Sequence, residues 1–199
     1  MVRSAFAALV ALVVCAPCAA PAPIPRMKGA DLYFPVEVGA TWTYTLTLHK
    51  REDTLTVTHV ENTKAGKVVT VGQVKEKKTV TAMKVLVSEN GVYQVEVGGA
   101  KCDPPLIVLK LPAKAGDTWK RKRQDSDEVF DTATVAGVEE VETPAGKYQA
   151  LRVDWEITYE GVTQRSSFWY APGVGMVKNS FKTDDGDDEA VLQSFKATK

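Results

Sequence analysis

Residues 41–59 read TWTYTLTLHKREDTLTVTH. Trp42, Tyr44, Leu46 and Leu48 alternate with Thr41, Thr43, Thr45 and Thr47, the period-two pattern of a strand with one buried face, in residue types that suit a pleated sheet. A reversal at Lys50–Asp53 leads into TLTVTH, and the two segments form an antiparallel hairpin. The expected register sets Leu48 against Leu55, Leu46 against Val57 and Tyr44 against His59, all on the inner face. In this register His59 points inward and His49 outward.

Working outward, strand signals recur at 67–75, 79–88, 92–97, 106–110, 118–123, 128–136, 148–159, 163–170, 176–183 and 190–197. Between them stand Asn90-Gly91, Gly98-Gly99, Pro104-Pro105, Pro144-Ala145-Gly146 and Asp185-Gly186, residues that reverse a chain because they adopt or fix the φ a turn requires. No helical stripe is present. The chain therefore predicts an all-β, antiparallel fold: a curved sheet or half-barrel, with a closed barrel or a sandwich as alternatives.

Two phrases repeat. FPVEVGATWTY at 34–44 and LPAKAGDTWKR at 111–121 both obey [FL]-P-x-x-x-G-x-T-W, and TKAGK at 63–67 is echoed by TPAGK at 143–147. Their common order suggests two related halves, 33–105 and 110–197, within a single β domain spanning 33–199. In each long phrase Pro sets an extended approach, Gly permits a reversal, and Thr-Trp opens a strand with a ring that covers core.

Ahead of this domain, residues 1–20 carry Arg3, an apolar run from Ala5 to Val14 and small residues near Ala20, the makings of a secretory signal too short to span a bilayer. Residues 21–32 read as a Pro-rich tether. The expected location is periplasmic or secreted, with lipid anchoring through Cys15 or Cys18 as the alternative; Val14 and Pro17 stand where such a site wants a small residue. Loss of the leader removes Arg3 alone from 25 basic and 25 acidic side chains, so no net field remains to attract nucleic acid or an anionic membrane. Cys102 is then the one cysteine, and the fold must rest on burial rather than on disulfides.

The motifs that carry chemistry are missing. There is no G-x-S-x-G elbow, no H-E-x-x-H and no phosphate loop. Cys102 beside Lys101 and the inward His59 are the candidates for an enzyme reading; each is more simply a thiol at a turn and a polar core residue. DDGDDE at 184–189 places its glycine third rather than sixth, so a hairpin turn is expected there and not a calcium loop. In WKRKRQDSDE, at 119–128, alternation divides the charges between two faces, and Arg123 is expected to face Glu128 as a solvated pair.

Aromatic residues are the remaining material for a site. Leu151, Val153, Trp155, Ile157 and Tyr159 share one strand face, opposite Arg152, Asp154, Glu156, Thr158 and Glu160. With Trp42, Tyr44, Trp119, Trp169 and Tyr170 they could line a concave apolar surface, and the ligand-binding set drawn from them is Trp42, Tyr44, Trp155, Tyr159, Trp169 and Tyr170. FWYAPGVGMVK, at 168–178, is read as a strand end and a reversal, with its three rings as a lid on the core. No cofactor or metal is expected, nor a transmembrane segment in the mature chain. The partner is an apolar small molecule or an envelope protein.

The phrases YFPVEVGATWTY, LPAKAGDTW, ETPAGKYQALRV and FWYAPGVGMVK resemble those of bacterial exported proteins of the TapB-type and DUF3108-like families, over about Tyr33 to Lys178. The resemblance implies a curved antiparallel sheet of the envelope lipoprotein-carrier kind and brings no catalytic residues. Residues and resemblance together predict a non-enzymatic extracytoplasmic β-protein that binds on a curved sheet, against the alternative of an envelope assembly protein with a fully packed interior.

Overall fold

The computed structural model describes residues 33–48, 50–75, 78–122, 129–159, 162–183 and 186–198. The leader, the tether and His49 lie outside them, as do Arg123–Glu128. Twelve strands form one antiparallel sheet: β1 (Thr41–Leu46), β2 (Arg51–Thr63), β3 (Gly66–Lys75), β4 (Lys78–Ser88), β5 (Gly91–Val97), β6 (Ala100–Lys110), β7 (Thr118–Lys122), β8 (Val129–Thr143), β9 (Gly146–Tyr159), β10 (Val162–Ala171), β11 (Gly175–Thr183) and β12 (Gly186–Lys196). The spatial order is β6-β5-β4-β3-β2-β1-β12-β11-β10-β9-β8-β7. Every consecutive pair of strands but one thus lies side by side, and one non-consecutive pair is added. First and last strands are zipped together, Trp42 against Phe195 and Leu46 against Ala190, while β6 and β7, consecutive in the chain, are the two edges of a sheet curled almost into a barrel.

The repeated phrases fall at matching places. Each long phrase leads into the first strand of a six-strand run, β1 or β7, and each AGK phrase turns the second strand into the third. The two AGK turns also share their chemistry: Thr63 donates its hydroxyl to the Gly66 carbonyl (2.8 Å) and Thr143 to that of Gly146 (3.3 Å). Ser88 and Gly91 repeat the arrangement between β4 and β5. A short hydroxyl at the last paired position and a glycine with positive φ opposite it make a compact, self-bonded hairpin.

The predicted hairpin register is corrected. Leu46 pairs with Arg51, Tyr44 with Asp53 and Trp42 with Leu55, so the reversal occupies residues 47–50 and Leu48 is left exposed. The cause is distant in sequence: the buried carboxylate of Asp188 accepts hydrogen bonds from the Thr47 hydroxyl (3.1 Å) and the Leu48 amide (2.8 Å). A charged acceptor that satisfies two turn donors outweighs the burial of one leucine. The same contacts explain the acidic stretch, whose Asp188 is a structural clamp; Asp184 and Asp185 lie outside the described residues.

Three further expectations change. His59 is exposed, not inward, because the ladder slips between Val57 and His59 and a bulged residue exchanges the faces of all that follow. Pro104-Pro105 is no turn but the interior of β6, which is tolerated because β6 is an edge strand and an edge residue needs no donor. β8 likewise runs past the expected stop at Ala136 to Thr143: Ala136 is the extra residue of a bulge, and pairing resumes at Gly137 against Arg152.

Candidate functional site

The inward faces of the strands build one cluster of buried side chains, including Trp42, Val71, Leu109, Val153, Trp155, Tyr170 and Leu192. They do not fill the curl of the sheet. A cavity of about 250 Å³ remains, bounded by side chains from ten of the twelve strands and by Phe34.

Four residues of the expected ligand set line this cavity: Trp42, Tyr44, Trp155 and Tyr170. Trp42 and Tyr44 alternate inward from β1, and both are held by carbonyls of the β10–β11 region. The Trp42 indole Nε1 donates to Val174 (2.6 Å) and the Tyr44 hydroxyl to Met176 (2.8 Å). FWYAPGVGMVK therefore divides. Phe168 and Tyr170 face the cavity with their rings stacked, 6.2 Å between centroids, and the reversal after them lends carbonyls that hold β1.

Trp169, also in the set, does not line the cavity and lies on the opposite side of the sheet. Its Nε1 donates to Glu139, and Lys178 Nζ stands 5.3 Å from its ring. Around it Arg152 pairs with Glu139 (3.1 Å) and Lys178 with Glu189 (2.7 Å). This is a polar outer surface with an aromatic embedded in it. The Tyr159 side chain is outside the described residues. Cys102 is a half-buried free thiol on the β6 edge, and the described residues hold no group of three or more metal-ligating side chains.

Burial shapes the protonation of the site. Removal from water raises the phenols of Tyr44 and Tyr170 far above the ordinary tyrosine range, so both remain neutral. The linkage has a definite sign. A folded pKa raised above the unfolded value stabilises the fold below the unfolded value near 10, and that contribution is lost as pH rises. Stability is expected to fall above pH 10 by about 1.4 kcal/mol per pH unit for each of these phenols. Tyrosine absorbance read against circular dichroism checks this: Tyr44 and Tyr170 should ionise only as the fold is lost, and a Tyr44→Phe/Tyr170→Phe chain should show a shallower decline.

One of the cavity residues outside the expected set is charged. Arg121 of β7 projects inward rather than into solvent, and it pairs with Asp131, its cross-strand partner on β8. Its Cζ lies 4.0 Å from the centroid of the Trp155 ring. Asp131 is almost wholly buried, and that desolvation raises its carboxyl above the usual range while Arg121 pulls the other way. Two signals pointed inward: Arg121 is two residues beyond the core ring Trp119, hence on the same strand face, and it occupies the place in its phrase that Tyr44 holds in the other. The basic run around it concealed both.

The class these features define is a curled antiparallel meander with a polar exterior and an apolar interior void. The DUF3108-like family model matches residues 118–189, from β7 into β12. A crystal structure from Bacteroides fragilis NCTC 9343, described as an exported protein with a YmcC-like fold, is similar with a TM-score of 0.57 and 16% identity, covering 83% of this chain and 99% of that one. A second, described as a lipoprotein of Parabacteroides distasonis ATCC 8503, has a TM-score of 0.52 and 15% identity, covering 85% of this chain and all of the other. At these identities the likeness is one of fold. Among curated proteins none matches the chain.

Proposed function

We propose that this chain is an exported, non-enzymatic carrier that holds an apolar small molecule inside its curled sheet, with Trp42, Tyr44, Trp155 and Tyr170 among the residues that contact it. The observation that carries this reading is the void of about 250 Å³ lined mainly by aromatic and aliphatic side chains. A concave apolar site with few polar groups is the usual form of a small-molecule pocket. An assembly protein with a fully packed interior would have no such space, since native cores close around voids at a cost in lost contacts. Export is supported by the leader pattern at 1–20 and by the descriptions of the two structural relatives. The matching places of the repeated phrases support an origin from two related halves.

The exterior favours water over lipid. Arg152–Glu139, Lys84–Glu96 and Arg165–Glu156 decorate the outer face, where a membrane barrel would need an apolar band. Among the described residues no helix is long and apolar enough to cross a membrane. Native mass spectrometry after gentle purification is expected to show a bound small molecule, and a fluorescent fatty acid is expected to bind and be displaced by unlabelled apolar compounds. Absence of both signals refutes the carrier and favours the assembly role.

A further inference from the structure

The wall of the cavity is apolar or neutral along most of its extent and changes character at one point. Among the described lining residues Arg121 is the one that carries a full charge at neutral pH. A guanidinium beside an apolar void is costly to desolvate, and it persists only where partners compensate. Its partners include the Asp131 carboxylate across the ladder and the indole face of Trp155.

Their arrangement matters more than their number. Asp131 is buried and is not part of the cavity wall, whereas Arg121 is. The carboxylate thus sits behind the guanidinium, which is steadied by the anion and the ring while it borders the void. An arginine's five N–H groups diverge in a planar fork, so one guanidinium serves two oxyanions at once. The corresponding place in the first phrase is Tyr44, neutral and engaged with the Met176 carbonyl. One half supplies a phenol and the other a cation, which gives the cavity a polarity that an interior for plain hydrocarbon would not need.

The geometry points to an amphiphilic anion as the ligand: a short acyl chain whose carboxylate meets Arg121 and whose tail packs against Trp42, Val71, Met83 and Phe168. This deepens the carrier reading and rests on it. The size is bounded, because 250 Å³ corresponds to about eight times the ~30 Å³ that a water occupies in the liquid, room for a chain of about eight carbons. Asp131 serves as the positioning residue, orienting the guanidinium without contact to the ligand.

The test uses three probes with the same tail: octanoate, octanol and octyltrimethylammonium, titrated into the mature protein while tryptophan fluorescence is followed. Octanoate is expected to bind at least tenfold more tightly than octanol, and the cation most weakly. In an Arg121→Gln/Asp131→Asn chain, which removes both charges together and so leaves neither one buried alone, octanoate should fall to within threefold of octanol. Equal or tighter binding of octanol by the natural chain overturns the anion preference and leaves the carrier standing; binding of none of the three removes both. Octanoate preference that survives the double substitution places the head group elsewhere and also overturns the inference. Should the double variant not fold, a crystal structure of the natural chain with octanoate decides, the carboxylate within hydrogen-bond distance of Arg121 or away from it.

Discussion

Replacing Trp42 by alanine is expected to destabilise the protein by about 3–5 kcal/mol, the cost of emptying a large buried site that the surroundings refill only in part. Trp42 is 4% exposed, packs against Phe34 and Phe195 with ring centroids 6.0 and 5.8 Å away, and lines the cavity. It also joins the first strand to the reversal before β11 through Val174. The hydrogen bond separates from the packing in a second substitution. Trp42→Phe keeps most of the ring but leaves the Val174 carbonyl without its indole donor, for a loss of about 1–3 kcal/mol. Trp119, the matching residue of the other phrase, is equally buried, and its Nε1 has no hydrogen-bond partner among the described residues. Trp119→Phe should therefore cost clearly less than Trp42→Phe. Urea denaturation of the four chains measures this, and equal losses for the two phenylalanine variants would show that the Val174 contact contributes nothing.

Gly91→Ala is expected to cost about 3 kcal/mol or more, combining a strained backbone with overpacking. Gly91 has φ of +144°, and a methyl group there would lie 2.1 Å from the Leu109 carbonyl oxygen on β6. That obstacle is backbone in a paired strand, with Leu109 itself fully buried, so neither side can yield without opening the ladder. Gly98→Ala is the control. Its φ is +56° and nothing lies within 4 Å of the added carbon, so only the left-handed conformation is penalised, at about 1 kcal/mol. Thermal melts that move equally for the two variants would reject the steric account and leave φ alone as the cause.

Both results depend on features of unequal visibility in the sequence. The FWYAPGVGMVK reversal and the glycines of the hairpin turns announce themselves, because turn chemistry is local: a glycine that needs positive φ looks the same whatever the rest of the chain does. The strand LRVDWEITY is equally legible, its inward Leu151, Val153 and Trp155 all buried as alternation predicts. Alternation alone, though, assigns faces only until a bulge intervenes. His59 and the reach of β8 beyond Gly137 were misjudged where single residues stand outside the ladder, and no periodicity marks such a residue.

The candidate site divides along similar lines. Trp42, Tyr44, Trp155 and Tyr170 could be chosen because large rings on apolar strand faces must go inside. Trp169 shows the limit, for in a run of three aromatics alternation sends the middle one to the other side, where Glu139 and Lys178 receive it. Arg121 shows the converse: a charge is taken for surface until a buried carboxylate is found opposite it.

From the amino-acid order alone came the antiparallel all-β class, the places of most strands and turns, and the paired phrases that open β1 and β7, because these express properties confined to a few successive residues. Only the folded chain decided that β1 closes on β12, that Asp188 draws residues 47–48 into a turn and so sets the first hairpin's register, and that Arg121 faces an interior void. Each of these joins groups from distant strands, or depends on how far a curled sheet can be filled by its side chains, and such contacts exist only once the whole sheet is assembled.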